Sequence, residues 1–116
     1  MNLKLITALV ADEKTDAVMA AAREAGATGA TVITSVRGEG LKPEKSFLGL
    51  ELTAQRDMLL FIVAAPLARS ILETIADAGK FDEEPGSGMA FQLEIEDAVG
   101  MKTQQETIIQ EIEESL

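Results

Sequence analysis

Residues 58–79 read MLLFIVAAPLARSILETIADAG, and this stretch joins a buried strand directly to an amphipathic helix. Residues 58–64 are apolar without interruption, as in a strand that is covered on both faces. Pro66 follows at the start of a helix, where a backbone N–H has no partner within the helix, so that its absence in proline costs no hydrogen bond. The helix carries one apolar stripe, and Gly79 ends it. The stripe consists of Leu67, Ile71, Leu72 and Ile75. The stretch therefore predicts a βα unit.

A second βα unit is predicted earlier in the chain, with a strand over 3–10 and a helix over 14–25. Asp12 or Thr15 is the expected cap at the helix start, and Gly26 follows its end. The two units align when the chain is shifted by 53 positions, from Val10 to Val63 (63 − 10 = 53). The shift superimposes Val10-Ala11 on Val63-Ala64, Val18 on Ile71, Ala22 on Ile75, and Ala25-Gly26 on Ala78-Gly79. Such a repeat indicates a fold built from two equivalent halves.

Three further elements complete the predicted order. β-branched residues over 31–36 predict a second strand, and the apolar–polar alternation over 89–95 predicts a half-buried fourth strand. Residues 103–116 predict a terminal helix, because Thr103 and Glu106 have capping-box spacing ahead of an apolar stripe. The order strand, helix, strand, strand, helix, strand is that of a ferredoxin-like βαββαβ sandwich of the α+β class.

The segment 37–56, between the second and third predicted strands, is the least regular part of the chain. Loops of this length in small domains are mostly functional or mobile. Apolar residues stand at nearly alternate positions over 47–52, so we expect an extended chain that packs on another surface, such as a neighbouring subunit. Two glycine clusters, Gly38-Glu39-Gly40 and Gly86-Ser87-Gly88, lie at strand ends. Each is either a turn that needs glycine or a place where backbone N–H groups approach an anion.

Composition excludes several classes of function. The chain is expected to form a single domain over 1–116. Its net charge is −10, because it has 10 Lys and Arg against 20 Asp and Glu. This charge repels nucleic-acid phosphates and anionic membrane surfaces. The absence of Cys and His excludes disulfides, thiol chemistry and imidazole catalysis. The serines have no histidine partner, and no apolar run is long enough for a membrane span. We therefore predict a cytoplasmic protein that is not an enzyme.

Six motifs occur in order along the chain: AREAGATGATV over 22–32, VRGEG over 36–40, AAP over 64–66, GKF over 79–81, GSGMAF over 86–91 and GMKT over 100–103. Their order and spacing resemble those of the P-II signal-transduction proteins, from about residue 3 to residue 103. By this resemblance the second motif is the base of the T-loop, and the third begins the second helix. The next two form the B-loop and the fourth strand, and the last ends the C-loop.

The resemblance implies a homotrimer that binds an adenine nucleotide (AMP, ADP or ATP) in clefts between subunits, with no metal and no obligatory cofactor. The residues that it assigns to the ligand site are Arg37, Gly38, Gly40, Ala64, Gly86, Ser87, Gly88, Met89 and Lys102. Gly86, Ser87 and Gly88 would offer backbone N–H groups to phosphate. The T-loop-like segment 37–56 would dock on a partner protein, either a membrane transporter or a metabolic enzyme.

The chain departs from the family pattern at three places. Met89 stands where the family has a B-loop lysine that contacts phosphate. Gly100 replaces one of two basic C-loop residues, so that only Lys102 keeps a positive charge there. The modifiable T-loop tyrosine is absent because the chain contains no Tyr. With fewer cations, a mononucleotide, ADP or a small anion such as bicarbonate is as good an expectation as ATP.

Two other interpretations stay open from the sequence. A trimeric divalent-cation-binding protein of the CutA type shares this architecture, and an acidic surface attracts hard cations weakly. A ferredoxin-like enzyme or a purely structural oligomer is the third interpretation. The enzyme would need a substrate held between paired carboxylates.

Overall fold

The computed structural model describes residues 2–36, 46–47, 50–51, 55–103 and 109–110. Its elements, in chain order, are β1 (Leu3–Ala11), α1 (Thr15–Glu24), β2 (Thr31–Val36), β3 (Ser46–Phe47), β4 (Leu50–Glu51), β5 (Arg56–Ala64), α2 (Ala65–Gly79) and β6 (Gly88–Glu94). The four long strands form one antiparallel sheet in the order β2-β5-β1-β6. This topology confirms the predicted ferredoxin-like α+β fold.

Both helices pack on the same face of the sheet. The core contains Ile6, Ala8 and Val10 of β1, Leu59, Phe61 and Val63 of β5, Val18 and Ala22 of α1, and Ala68, Ile71 and Ile75 of α2. The predicted repeat therefore has a physical meaning, because its matched helix positions are buried in one common core. Burial of these aliphatic side chains is the main force that holds the helices on the sheet.

The start of α1 differs from the prediction. Neither Asp12 nor Thr15 acts as a cap: Asp12 begins a 3₁₀ turn, Asp12–Lys14, and the residue at the cap position is Lys14, without a side-chain capping bond. The hydroxyl of Thr15 instead donates a hydrogen bond to Oδ2 of Asp57 (2.6 Å). The predicted end is confirmed, since Gly26 has a φ of 119° and donates its N–H to the carbonyl of Arg23.

The second helix begins and ends close to the predicted positions. Pro66 lies in its first turn, and Gly79 is its last residue. The left-handed residue beyond the helix is Lys80, with a φ of 54°, rather than a glycine. Its N–H donates to the carbonyl of Asp77 (3.2 Å), which closes the helix end.

Strand β5 begins two residues earlier than the predicted position 58. Arg56 and Asp57 interrupt the apolar run, yet both are buried (7% and 9% exposed) because they pair with Ala11 and Val10 of β1. Polarity alone therefore misplaced the strand start. The pairing partner on the neighbouring strand decided it.

Strand β6 confirms the predicted alternation but not the predicted burial of its apolar side. Ala90 packs against the helix-covered core. Phe91 and Leu93 lie on the opposite face and are 38% and 47% exposed. The structure describes no element that covers that face, so in a single copy of the chain the larger apolar side chains of β6 point to solvent.

The remaining predictions fall largely outside the described residues. Within the segment 37–56, Ser46–Phe47 pairs with Leu50–Glu51 as a short antiparallel ladder, which confirms an extended chain at those positions. Residues 102–103 and 109–110 have helical backbone, in agreement with the predicted terminal helix. In the part of the chain that the structure describes, no helix combines the length and apolar content of a membrane span.

Candidate functional site

The glycine-containing turn between α2 and β6, residues 80–88, is closed by its own hydrogen bonds. The Glu84 N–H donates to the carbonyl of Lys80 (2.9 Å), and the Ser87 N–H donates to the carbonyl of Glu84 (3.1 Å). The Ser87 hydroxyl donates to the carbonyl of Lys80 (2.9 Å). Gly86 has a φ of 76°, which a residue with a side chain adopts only with strain. We call this element the 80–88 turn.

Ser87 is a structural brace within that turn. The residue is buried, and both its hydroxyl and its N–H bond to other residues of the turn. In this conformation the Ser87 N–H is therefore not directed at a ligand. The neighbouring Gly88 pairs with Val10 at the start of β6.

The 80–88 turn is bonded to the end of β1 and to the residue before α1. The N–H of Ala11 donates to the carbonyl of Ser87 (3.1 Å). The ammonium of Lys14 donates to the carbonyl of Gly79 (2.8 Å) and to Oε2 of Glu84 (2.5 Å). This hydrogen bond from Lys14 holds the pKa of the Glu84 carboxyl below its ordinary value, and the nearby charge of Lys80 acts in the same direction.

A small cavity of about 160 Å³ opens between the 80–88 turn and the sheet. Its lining residues are Ala11, Glu13, Lys14, Arg56, Glu84, Pro85, Gly86 and Ser87. Two of them, Lys14 and Arg56, are cations that were not predicted from sequence, because no motif marks either residue. Arg56 reaches the cavity because β5 pairs it with Ala11, and this register is visible only in the fold.

The base of the T-loop-like segment lies at this same end of the sheet. Val36 is the last described residue before the segment, and it pairs with Arg56 across β2 and β5. The residues predicted for the site in that segment, Arg37, Gly38 and Gly40, lie outside the described residues. The chain therefore enters the segment beside the cavity that contains Gly86 and Ser87.

Ala64 and Lys102 lie at the other end of the sheet. Ala64 pairs with Leu3, whereas Gly88 pairs with Val10, seven residues further along β1 (10 − 3 = 7). Seven residues of strand span about 23 Å at the usual rise per residue. Met101, which precedes Lys102, packs against the small cluster of Leu3 and Ala64. One copy of the chain thus holds the predicted site residues in two separate groups.

A larger cleft of about 390 Å³ lies at the Ala64 end. It is lined by Asn2, Leu3, Lys4, Ala65, Glu94, Ile95, Glu96, Asp97 and Ala98. Lys4 forms an ion pair with Glu94 across β1 and β6 (3.0 Å). Among the described residues, no group of three or more carboxylates is arranged to hold a metal ion.

Comparisons with known proteins agree on one family. The family model described as "Nitrogen regulatory protein P-II" matches residues 3–105. The nitrogen regulatory protein GlnK2 of Haloferax mediterranei is 34% identical over 107 residues, which cover 88% of this chain and 85% of that protein. The chain belongs to the P-II family. P-II proteins are regulatory signalling proteins, and the motif-based resemblance is thereby confirmed.

Two solved structures share the P-II fold with this chain. A PII-like signalling protein from Thermus thermophilus superimposes with a TM-score of 0.60 at 23% identity, over 82% of this chain and 88% of that one. CPII from Thiomonas intermedia superimposes with a TM-score of 0.63 at 18% identity, over 83% and 90%. That structure of CPII contains ADP, AMP and acetate. The 80–88 turn lies at the position that the motif resemblance assigns to the B-loop of P-II proteins, and we use that name for it below.

Proposed function

We propose that this P-II protein is a cytoplasmic trimer that binds an adenine nucleotide in clefts between subunits and controls a partner protein through residues 37–56. The observation that carries the proposal is the separation of the site residues within one chain. Gly86–Met89 and the T-loop base lie at the Ser87 end of the sheet. Ala64 lies about 23 Å further along β1, in the cluster on which Met101, the neighbour of Lys102, packs. A second copy that places its Ala64 end against the Ser87 end of the first completes the site.

The uncovered sheet face supports association of this kind. The side chains that alternate away from the helices include Leu5, Leu9, Ile33, Met58, Leu60, Ile62, Met89, Phe91 and Leu93. Ile33, Phe91 and Leu93 are 45%, 38% and 47% exposed in a single copy. An apolar sheet face of this extent is typical of a surface that other subunits cover. The P-II family is trimeric, and three copies give each protomer two neighbours.

Charge argues for a ligand with fewer phosphates than ATP. Met89 is uncharged where the resemblance places a lysine, and the cations that line the cavity beside the B-loop are Lys14 and Arg56. Lys14 is already bonded to Glu84. Because each phosphate of a bound nucleotide needs donors or cations, we expect AMP and ADP to bind more tightly than ATP. The nucleotides in the CPII structure are of the same two kinds.

Isothermal titration calorimetry with AMP, ADP, ATP and cyclic AMP tests the proposal. We expect binding of AMP and ADP, with ATP weaker. The variant Lys102→Gln should weaken ADP binding at least about tenfold, because a hydrogen bond to a charged group contributes roughly 1.5–3 kcal/mol. Arg23→Gln is the matched control, since Arg23 is an exposed cation on the helix-covered side of the sheet. The absence of binding for all four nucleotides would reject nucleotide sensing.

A further inference from the structure

Residues 11–15, at the end of β1 and the start of α1, form hydrogen bonds in two directions. We call them the link segment. Toward the B-loop, the N–H of Ala11 donates to the carbonyl of Ser87 (3.1 Å). The ammonium of Lys14 donates to Oε2 of Glu84 (2.5 Å) and to the carbonyl of Gly79 (2.8 Å). The B-loop is thus held to the link segment by one backbone bond and one side chain.

The link segment is held in the same way to the strand that leaves the T-loop. The N–H of Asp12 donates to the carbonyl of Gln55 (3.1 Å). The hydroxyl of Thr15 donates to Oδ2 of Asp57 (2.6 Å), and both of these residues are buried. Gln55 belongs to the T-loop-like segment 37–56, and Asp57 directly follows it. Arg56, which lies between them, pairs with Val36 at the start of the segment. We call this pair of ends the T-loop base, and both bonds act on it.

The bonds alternate along the chain. Ala11 and Lys14 hold the B-loop, whereas Asp12 and Thr15 hold the T-loop base. The four donors lie within five consecutive residues, which comprise the end of β1, a 3₁₀ turn and the first residue of α1. A displacement of the B-loop relative to the T-loop base therefore has to move the link segment or break one of these bonds. The buried bond between Thr15 and Asp57 is the costliest of them to break, because it would leave a carboxylate without its donor away from water.

The geometry points to the link segment as the physical connection between the nucleotide site and the output loop. We propose that Lys14 and Thr15 are positioning residues: Lys14 places the B-loop through Glu84, and Thr15 transmits that placement to the T-loop base through Asp57. This inference rests on the proposed nucleotide site. It adds which residues couple that site to the T-loop, and coupling between two sites is typically about 5–150-fold in affinity or population.

The first test uses ADP and the full chain, with amide hydrogen exchange at positions 55–58 followed by NMR. In the wild type, ADP should slow this exchange by at least about fivefold. Thr15→Val should still bind ADP but lose the ADP-dependent protection, and Thr15→Ser should retain it. Thr74→Val is the matched control, because the Thr74 hydroxyl bonds to the carbonyl of Ser70 on an exposed face of α2. Undiminished protection in Thr15→Val overturns the inference.

The second test needs no ligand, so its result is independent of whether ADP binds. Glu84→Ala removes the acceptor of Lys14, and we expect faster amide exchange at 55–58, by about fivefold or more. Glu73→Ala is the control, since Glu73 pairs with Arg69 on the exposed face of α2. Equal exchange in the two variants would show that the B-loop and the T-loop base move independently. A lack of ADP binding combined with this faster exchange would reject nucleotide sensing and leave the link intact.

The third test asks whether the charge pair itself positions the B-loop. Lys14→Glu should weaken ADP binding about tenfold or more, a change that lies within the usual range of coupling. The double variant Lys14→Glu, Glu84→Lys should restore part of the affinity, because it re-forms the ion pair with opposite polarity but not the bond to the carbonyl of Gly79. The exchanged pair Arg69→Glu, Glu73→Arg should bind ADP like the wild type. Failure of the double variant to recover affinity contradicts positioning by this pair.

Discussion

Phe81 occupies the space that side chains at positions 79 and 88 would need. A Cβ at Gly79 would lie 2.2 Å from Cε1 of Phe81, and a Cβ at Gly88 would lie 2.5 Å from the same atom. The ring is therefore packed between two glycines and against the core. Glycine is required at these positions because the Phe81 ring leaves no room for a side chain. This requirement does not depend on the backbone φ and ψ angles.

Replacement of Gly88 by alanine should destabilise the protein by roughly 1–3 kcal/mol, the usual cost of overpacking. The new Cβ would also lie 2.6 Å from the carbonyl oxygen of Leu9, which is backbone and cannot rotate away. Urea denaturation measures the change. At Gly29 no heavy atom lies within 4 Å of the position that a Cβ would take, so Gly29→Ala is the control, with an expected change within about 0.5 kcal/mol. Equal stability of the two variants contradicts the packing described for Phe81.

The candidate site was only partly predictable at the scale of residues. The glycines of the B-loop were found from sequence, since a turn with positive φ favours glycine wherever it occurs. Ser87 was predicted to offer its N–H to phosphate, and in the structure that N–H bonds to the carbonyl of Glu84. Lys14 and Arg56 were missed because their approach to the B-loop depends on contacts between distant parts of the chain.

At the scale of elements, the contact between the B-loop and the residue before α1 rests on an ion pair. Lys14 lowers the pKa of Glu84 below its ordinary value of 4.5, so the folded state binds the Glu84 proton more weakly than the unfolded state does. A carboxyl group whose pKa is lowered by folding stabilises the folded state at pH values above its pKa in the unfolded chain. That stabilisation is lost as the pH falls through the lower pKa of the folded state. Lys80, Glu13 and Arg56 are the other charged groups near this carboxylate.

The stability difference between the wild type and Glu84→Gln should therefore be present at neutral pH and decrease as the pH falls below the ordinary carboxyl pKa of 4.5. Thermal unfolding of both proteins as a function of pH measures this difference. Because Glu84 is about half exposed, the difference should also shrink in about 1 M salt. Glu73→Gln, in a more exposed pair with Arg69, serves as the control and should show a smaller difference. A difference that grows as the pH falls would contradict the assigned role of Lys14.

The helices and strands could be predicted from local sequence patterns. Which face of a strand is turned away from the helices could not. The periods of about 3.6 and 2 identify a helix and a strand without knowledge of neighbours. The alternation in β6 gave two possible orientations, and both contain apolar residues: Ala90 on one side, Phe91 and Leu93 on the other. The small Ala90 faces α2 because helix and sheet approach closely there, so the larger side chains are left on the uncovered face.

At the scale of the whole molecule, the proposed trimer depends on the uncovered sheet face. We expect Leu93→Glu to reduce the solution mass from that of a trimer to that of a monomer. A charge without a partner in an apolar interface costs several kcal/mol of association free energy. Light scattering after size-exclusion chromatography measures the mass, and far-UV circular dichroism checks that the fold is kept. Ala20→Glu adds the same charge on the exposed face of α1 and should leave the mass unchanged. An unchanged mass for Leu93→Glu excludes this face as the interface.

The amino-acid sequence by itself determined the order of elements, the ferredoxin-like class and the P-II family. These follow from information within short stretches: apolar periodicity, the proline and glycines at helix ends, and motifs such as GSGMAF over 86–91. The two-halves repeat also followed from sequence, because each half buries the same helix positions in the shared core.

Only the tertiary structure decided which residues meet. The pairing of β1 with β5 and β6 brings Arg56 and Ser87 to Ala11, and it places Ala64 at the far end of the sheet. It also placed Lys14 on Glu84 and Thr15 on Asp57. The register of β1 with β5 and β6 is set by contacts between residues that are about 40 or more positions apart, and no local pattern encodes such a contact. For that physical reason the fold could be predicted from the sequence, whereas the link between the B-loop and the T-loop base could not.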